Sequence, residues 1–148
     1  MKILVDADAC PVKDIIIETA KEHDVEVIMF TDTSHLLDDD NCIIITVDKG
    51  KDSVDFALIN NVNAEDIVVT QDYGVAAMAI SKSAYAINYN GLIFDKDNID
   101  SLLMQRYISA KIRSTGGKVS NIKKRNKNND LNFKRNFENL IIQIKKGH

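Results

Sequence analysis

The chain contains no tryptophan and one proline, and aromatic residues make up 6% of its 148 residues. Its two cysteines, Cys10 and Cys42, are too few for a disulfide scaffold, and no Cys-x-x-Cys or Cys/His cluster suggests zinc. No apolar run approaches the roughly 20 residues that cross a bilayer. Asp6 and Asp8 interrupt any leader-like pattern at the N-terminus, so the expectation is a cytoplasmic protein with no membrane partner. Neither Gly50-Lys51 nor Gly117-Lys118 has the spaced glycines and following Ser/Thr of a phosphate loop. What remains is a chain that is 45% hydrophobic and long enough to bury one real core.

The net charge of −3 hides a division. Residues 1–100 carry 7 Lys/Arg against 20 Asp/Glu, whereas residues 101–148 carry 12 against 2. An acidic part suits cations and a basic part suits phosphates. A solvated basic helix at the end of an ordinary domain would give the same division.

Apolar, β-branched runs predict strands over 2–6, 25–30, 42–47, 66–70 and 84–88. Helices are expected over 11–22, opened by Pro11, and over 52–61, 74–81, 99–113 and 130–145. Gly116-Gly117 should end the fourth helix, and residues 119–129 read as a basic loop. Phe133, Phe137, Leu140, Ile141 and Ile144 recur at helical spacing in the last helix. Strands alternating with helices imply an α/β fold, a mostly parallel sheet covered on both faces. One domain spans 1–148, with 116–148 a basic loop and helix appended to it.

Acids stand at successive strand ends and helix starts. Asp6 and Asp8 follow the first strand, Asp52 and Asp55 sit one helical turn apart, and Asp72 follows Val68-Val69-Thr70-Gln71. Side chains at such places can converge above the carboxyl edge of a sheet. Carboxylates with water and phosphate oxygens suit Mg²⁺ or Mn²⁺. Taken singly, each Asp is more simply a cap or turn residue; taken as a set, they suggest a shared site. Asp38, Asp39 and Asp40 form a run in a loop and read as solvated surface. Lys13 lies within reach of an anion beside Asp6, and Thr70 is placed to orient Asp72. His35 is either a proton donor or phosphate ligand, or a surface residue. Arg106 and Arg113, seven apart on one helix face, join Lys111, Lys118, Lys123, Lys124 and Arg125 in a basic patch. With few aromatics interleaved, that patch suits backbone phosphates better than stacked bases.

The motifs also carry a resemblance. Asp-Ala-Asp-Ala-Cys-Pro-Val-Lys at 6–13 resembles the opening signature of the YaiI/YqxD family, related to PIN-like domains. Ser34-His35, the acids Asp52 and Asp55, and Val68-Val69-Thr70-Gln71-Asp72-Tyr73-Gly74 resemble its further motifs. Arg106, Arg113, Thr115-Gly116-Gly117 and Lys123-Lys124-Arg125 with Asp130 and Phe133 resemble its late segment. The resemblance implies a PIN-like three-layer sandwich with a metal pocket holding Mg²⁺ or Mn²⁺. Asp6, Asp55 and Asp72 would be ligands, with Asp8 and Asp52 beside them. It also implies metal-dependent hydrolysis of nucleic-acid phosphodiesters, RNA being favoured. Lys13, Ser34, His35, Thr70, Arg106, Arg113, Lys123, Lys124 and Arg125 would be substrate contacts.

Two rivals stand beside this reading. Val5-Asp6-Ala7-Asp8 also resembles the start of a haloacid-dehalogenase-type phosphatase with Asp6 as covalent nucleophile, although Cys10 replaces the usual Thr or Val four residues on. The other rival is a non-catalytic module that binds RNA or protein.

Overall fold

The structure is a computed structural model; it describes residues 1–32, 42–50, 52–117 and 124–147. Ser34, His35 and Lys123 lie outside the described residues. In chain order the elements are β1 (Lys2–Asp6), α1 (Lys13–Glu22), β2 (Glu26–Asp32), β3 (Ile43–Val47) and α2 (Ser53–Asn60). There follow β4 (Ile67–Val69), α3 (Tyr73–Ser81), β5 (Tyr85–Ile87), β6 (Ile93–Phe94), α4 (Lys96–Ser114) and α5 (Lys127–Lys146). The strands form one sheet in the order β3-β2-β1-β4-β5-β6. All pairs are parallel except β5 with β6. Among the described residues, no helix is long and apolar enough to cross a membrane.

Strand alternation sorts the core into two layers. Ile3 and Val5 of β1, Val27 and Met29 of β2, and Ile67 and Val69 of β4 face α1 and α5. Leu4, Ile28, Phe30 and Val68 face α2, α3 and α4. The expected α/β sandwich of helices on both faces is therefore the observed one. Helix α5 is a full part of it: Phe133, Phe137, Leu140, Ile141 and Ile144 are all buried against the sheet, and Phe133 stacks on Phe137 with centroids 5.1 Å apart. A segment that looked appended by charge closes one face of the sheet.

Several expected boundaries move. Helix α1 starts at Lys13, two residues after Pro11, because Ala9 turns through a left-handed φ of 59° and Val12 serves as N-cap. Helix α4 starts at Lys96, where Asp95 and Asn98 form a reciprocal capping box. It ends as expected: Gly116 takes φ 81°, and the N–H groups of Gly116 and Gly117 return to the carbonyls of Arg113 and Ile112. Helix α5 begins at Lys127, inside the expected loop, because Asn126 and Asn129 make a second capping box. Strand β6 was not expected; two residues are too few to show alternation.

The β5–β6 turn is held by α5. Gly91 has φ 93°, and an added Cβ would lie 2.7 Å from the Asn132 carbonyl oxygen, so only glycine fits. Asn132 Nδ2 donates to the Asn90 carbonyl and Asn136 Nδ2 to that of Gly91, both at 2.8 Å.

Candidate functional site

Strand order decides where the acids go. From β1 the chain crosses by α1 to β2 on one side, and it returns from β3 by α2 to β4 on the other. The neighbouring strands β1 and β4 thus flank a topological switch point, and ligands of open α/β sheets bind at the carboxyl ends there. Asp6 closes β1, and Asp72 follows β4 by three residues. By alternation Asp6 shares the face of Leu4, the side covered by α2, whose first turn carries Asp55.

The proximity is electrostatic as well as topological. Burial, and then the charges of Asp55, Asp8 and Asp72, push the Asp6 carboxyl up from 3.8 to about 6, against a lowering by the Thr70 hydroxyl. Burial, and then Asp72 and Asp52, also raise Asp55. No described cation has an ion pair with any of these acids.

Each acid is held differently. Asp72 caps α3, its Oδ1 accepting from the Val75 N–H at 3.0 Å, while its own N–H donates to Thr70 Oγ1 at 3.0 Å. The expected roles of cap and site residue are compatible here, since one carboxylate oxygen is left over. Asp8 Oδ1 accepts from the Thr31 hydroxyl at 2.5 Å. Asp52 stands at the N-cap of α2 with φ 64° and makes no side-chain cap bond. Its side chain is exposed, and that of Asp55 is half-buried. Thr70 is wholly buried. The backbone of Asp6 is fixed too: the Tyr89 hydroxyl donates to its carbonyl at 2.8 Å.

Asp6, Asp8 and Asp72 line an open cleft of about 1140 Å³. One wall is a face of α4, with Leu102, Gln105, Arg106, Ser109 and Arg113. The other is the start of α5, with Lys124, Arg125, Asn126 and Asn129. The cleft therefore joins an acidic floor to basic walls. Among the described residues, Arg106, Arg113 and Lys124 have no ion-pair partner. Arg125 differs. It bonds Asp130 through Nε and a terminal nitrogen, Asn90 Oδ1 at 2.6 Å and the Tyr89 carbonyl at 2.7 Å. Its guanidinium ties α5 to the β5–β6 turn, so it is committed to the fold before any phosphate arrives. Lys13 is half-buried, with Nζ 3.4 Å from the Ala7 carbonyl.

Sequence reading missed several lining residues, among them Gln71, Tyr89, Asn90 and Gln105. Gln71 Oε1 accepts from the Tyr89 N–H at 2.8 Å, so both are positioning groups. The α4 face was legible in principle, since 102, 105, 106, 109 and 113 follow helical spacing. Cys10 is buried, and burial pushes its thiol up to about 11, which leaves no thiolate nucleophile near neutral pH.

The acids do not form a closed cage. Among the described residues, the one trio whose ligand atoms all lie within 4.8 Å of one another is Glu22, His23 and Glu138. That trio lies at the other end of the sheet, where α1 ends and β2 has yet to begin, with Lys145 donating to the His23 carbonyl. The donor set around Asp6 is all oxygen, wider and open to solvent. It fits a hard cation that keeps several waters, as Mg²⁺ does.

Comparison with known proteins agrees with the motifs. A family described as "Uncharacterized BCR, YaiI/YqxD family" matches residues 4–143. A UPF0178 protein of Clostridium kluyveri is 51% identical over 145 residues, covering 98% of this chain and 95% of that protein. One from Ruminiclostridium cellulolyticum is 57% identical over 135 residues, covering 91% and 88%. One from Natranaerobius thermophilus is 46% identical over 145 residues, covering 98% and 99%. No solved structure matches the chain. The matched span runs from within β1 almost to the end of α5 and takes in the acids, the cleft walls and the clamp on the β5–β6 turn; on that evidence the chain belongs to the YaiI/YqxD family.

Proposed function

We propose that this protein is a divalent-metal-dependent nuclease that hydrolyses nucleic-acid phosphodiesters, with RNA the favoured substrate. One observation carries the reading: a single cleft presents Asp6, Asp8 and Asp72 on its floor and Arg106, Arg113 and Lys124 on its walls. A phosphodiester chain needs both, cations along its backbone and a metal-binding floor at the bond to be cut. The resemblance of Asp6, Asp55 and Thr70-x-Asp72 to the acids of PIN nucleases supports the same reading.

Asp6, Asp55 and Asp72 would hold Mg²⁺ or Mn²⁺, with Asp8 and Asp52 beside them. The cation, when bound, supplies positive charge to the phosphoryl oxygens and activates water. Thr70 and the α3 N-terminus orient the Asp72 carboxylate. Tyr89 holds the Asp6 backbone in place. Arg106, Arg113 and Lys124 bind phosphates on either side of the floor, a sequence-independent contact that weakens with salt.

The test is cleavage of single-stranded RNA, and of matched DNA, by purified protein in Mn²⁺ with and without chelator. Asp72→Asn should abolish turnover while RNA binding persists, since the basic walls are untouched. Undiminished cleavage by Asp72→Asn would place the activity elsewhere. Binding without turnover in any metal would favour the binding-module reading.

A further inference from the structure

Helix α4 has two exposed long faces, and the cleft uses only one. Its first half packs on the core through Ile99, Leu102 and Leu103. Beyond Leu103 it carries Met104 (58% exposed), Tyr107 (59%), Ile108 (49%) and Ile112 (37%). At about 100° per residue Met104, Tyr107 and Ile108 share one stripe, roughly opposite the face that bears Arg106, Ser109 and Arg113, and Ile112 stands at its edge toward Gln105. Apolar side chains gathered on one exposed helix face, rather than scattered singly, point to an interaction surface.

The charges around the stripe say which partner fits. Asp97 and Asp100 lie on the same stripe near the N-terminal end of α4, and Lys111 lies on it near the other end. Lys111 Nζ rests 5.6 Å from the Tyr107 ring centroid, which holds its charge at the edge of the apolar patch. The stripe is therefore acidic, apolar and basic in succession. Such a pattern is complementary to itself when reversed. We infer that two copies of this chain associate through α4, with the helices antiparallel about a two-fold axis. With the axis level with Gln105 and Arg106, Asp100 of one copy stands level with Lys111 of the partner subunit. Met104 stands level with Tyr107 of the partner subunit. Each ion pair occurs twice, as an isologous contact requires. The antiparallel helix dipoles also oppose favourably. Phe56 on α2 (67% exposed) and Met78 on α3 (50%) lie on the solvent side of the same helical layer. Because the reverse face of α4 is a wall of the cleft, association would brace that wall; the pairing itself does not depend on the chemistry proposed for the cleft.

Sedimentation of the full chain over about a hundredfold concentration range tests this. Wild type is expected to be a dimer that dissociates reversibly. Ile108→Glu should weaken association by about 100-fold or more, since it places a charge at the centre of the contact. Asp100→Lys and Lys111→Asp should each weaken it by about tenfold or more, and the double reversal should restore it. All three positions are exposed, so circular dichroism should show unchanged folds. A wild type that stays monomeric, an Ile108→Glu variant as dimeric as wild type, or a double reversal without rescue would each overturn the proposal.

Discussion

The paired strands β1 and β4 have one aspartate, Asp66, at their amino end and several at their carboxyl end, and the two ends are built on opposite electrostatic terms. At the amino end, Asp66 is 3% exposed and fully answered. It accepts from Lys2 Nζ at 2.6 Å, the Lys2 N–H at 3.0 Å and the Asn63 N–H at 2.8 Å. At the carboxyl end, some 15 Å along the same strands, Asp6 faces Asp55, Asp8 and Asp72 with no described cation paired to any of them. A fold that needed only stability would treat both ends like the first. The unanswered end is where we propose that an external cation binds, since a bound cation, like a proton, would relieve the mutual repulsion there.

The largest effect should come from breaking the answered end. Asp66→Ala leaves the Lys2 ammonium and two backbone N–H groups without their acceptor. We expect a loss of about 3 kcal/mol in urea unfolding, at the low end for a broken buried pair because Lys2 keeps some solvent contact. Cation affinity at the carboxyl end should be unchanged; a loss of less than about 1 kcal/mol would mean that the Lys2 contact is ornamental.

Breaking the unanswered end should work the other way. The Asp6 carboxyl is raised from 3.8 to about 6 in the folded protein. Between those values the native state holds more protons than the unfolded chain, so metal-free stability should fall as pH rises through that window. Asp6→Asn removes the share of the slope that Asp6 contributes, and without metal it should be at least as stable as wild type near neutral pH. Mn²⁺ at a hundred times its dissociation constant should stabilise wild type by about 2.7 kcal/mol and leave Asp6→Asn with little gain. Unfolding curves at acidic and neutral pH, with chelator and with Mn²⁺, check both signs. A flat wild-type profile together with no Mn²⁺ shift would remove the contrast between the two ends.

The smallest stability effect should come from Asp72→Asn. Asparagine caps a helix about as well as aspartate, so the bond to the Val75 N–H survives and the change should stay within about 0.5 kcal/mol. Asp72→Ala loses the cap as well and should cost about 1 kcal/mol. If the two variants melted alike, the cap would contribute nothing and Asp72 would belong to the site alone.

Much of the site was legible because it rests on local features. An apolar run ending in Asp6, a second ending near Thr70 and Asp72, and a helical turn carrying Asp55 are each visible within a few residues. The family motifs overlie the same positions. Whether Asp72 is a cap or a site residue was open in the sequence; one of its oxygens takes the cap and the other is left over, so the two roles are compatible. Less legible was the fate of the basic residues. Lys124 and Arg125 are adjacent and alike in charge, yet Lys124 has no described ion-pair partner while Arg125 binds Asp130, Asn90 and the Tyr89 carbonyl. Those partners lie as far as 36 residues away, and no local pattern announces them.

Composition and periodicity by themselves determined that this chain is a mostly parallel α/β protein, acidic in its first hundred residues and basic after them. Those features follow from side-chain alternation and charge, which each short segment carries on its own. The tertiary structure alone decided which acids meet, because convergence depends on β4 pairing with β1 across some 60 residues. It decided that the basic tail closes the core, because five apolar side chains of α5 outweigh the charge of its solvent face. It decided also that α4 turns one face to the cleft and leaves another bare, because the helix outruns the layer that supports its first half.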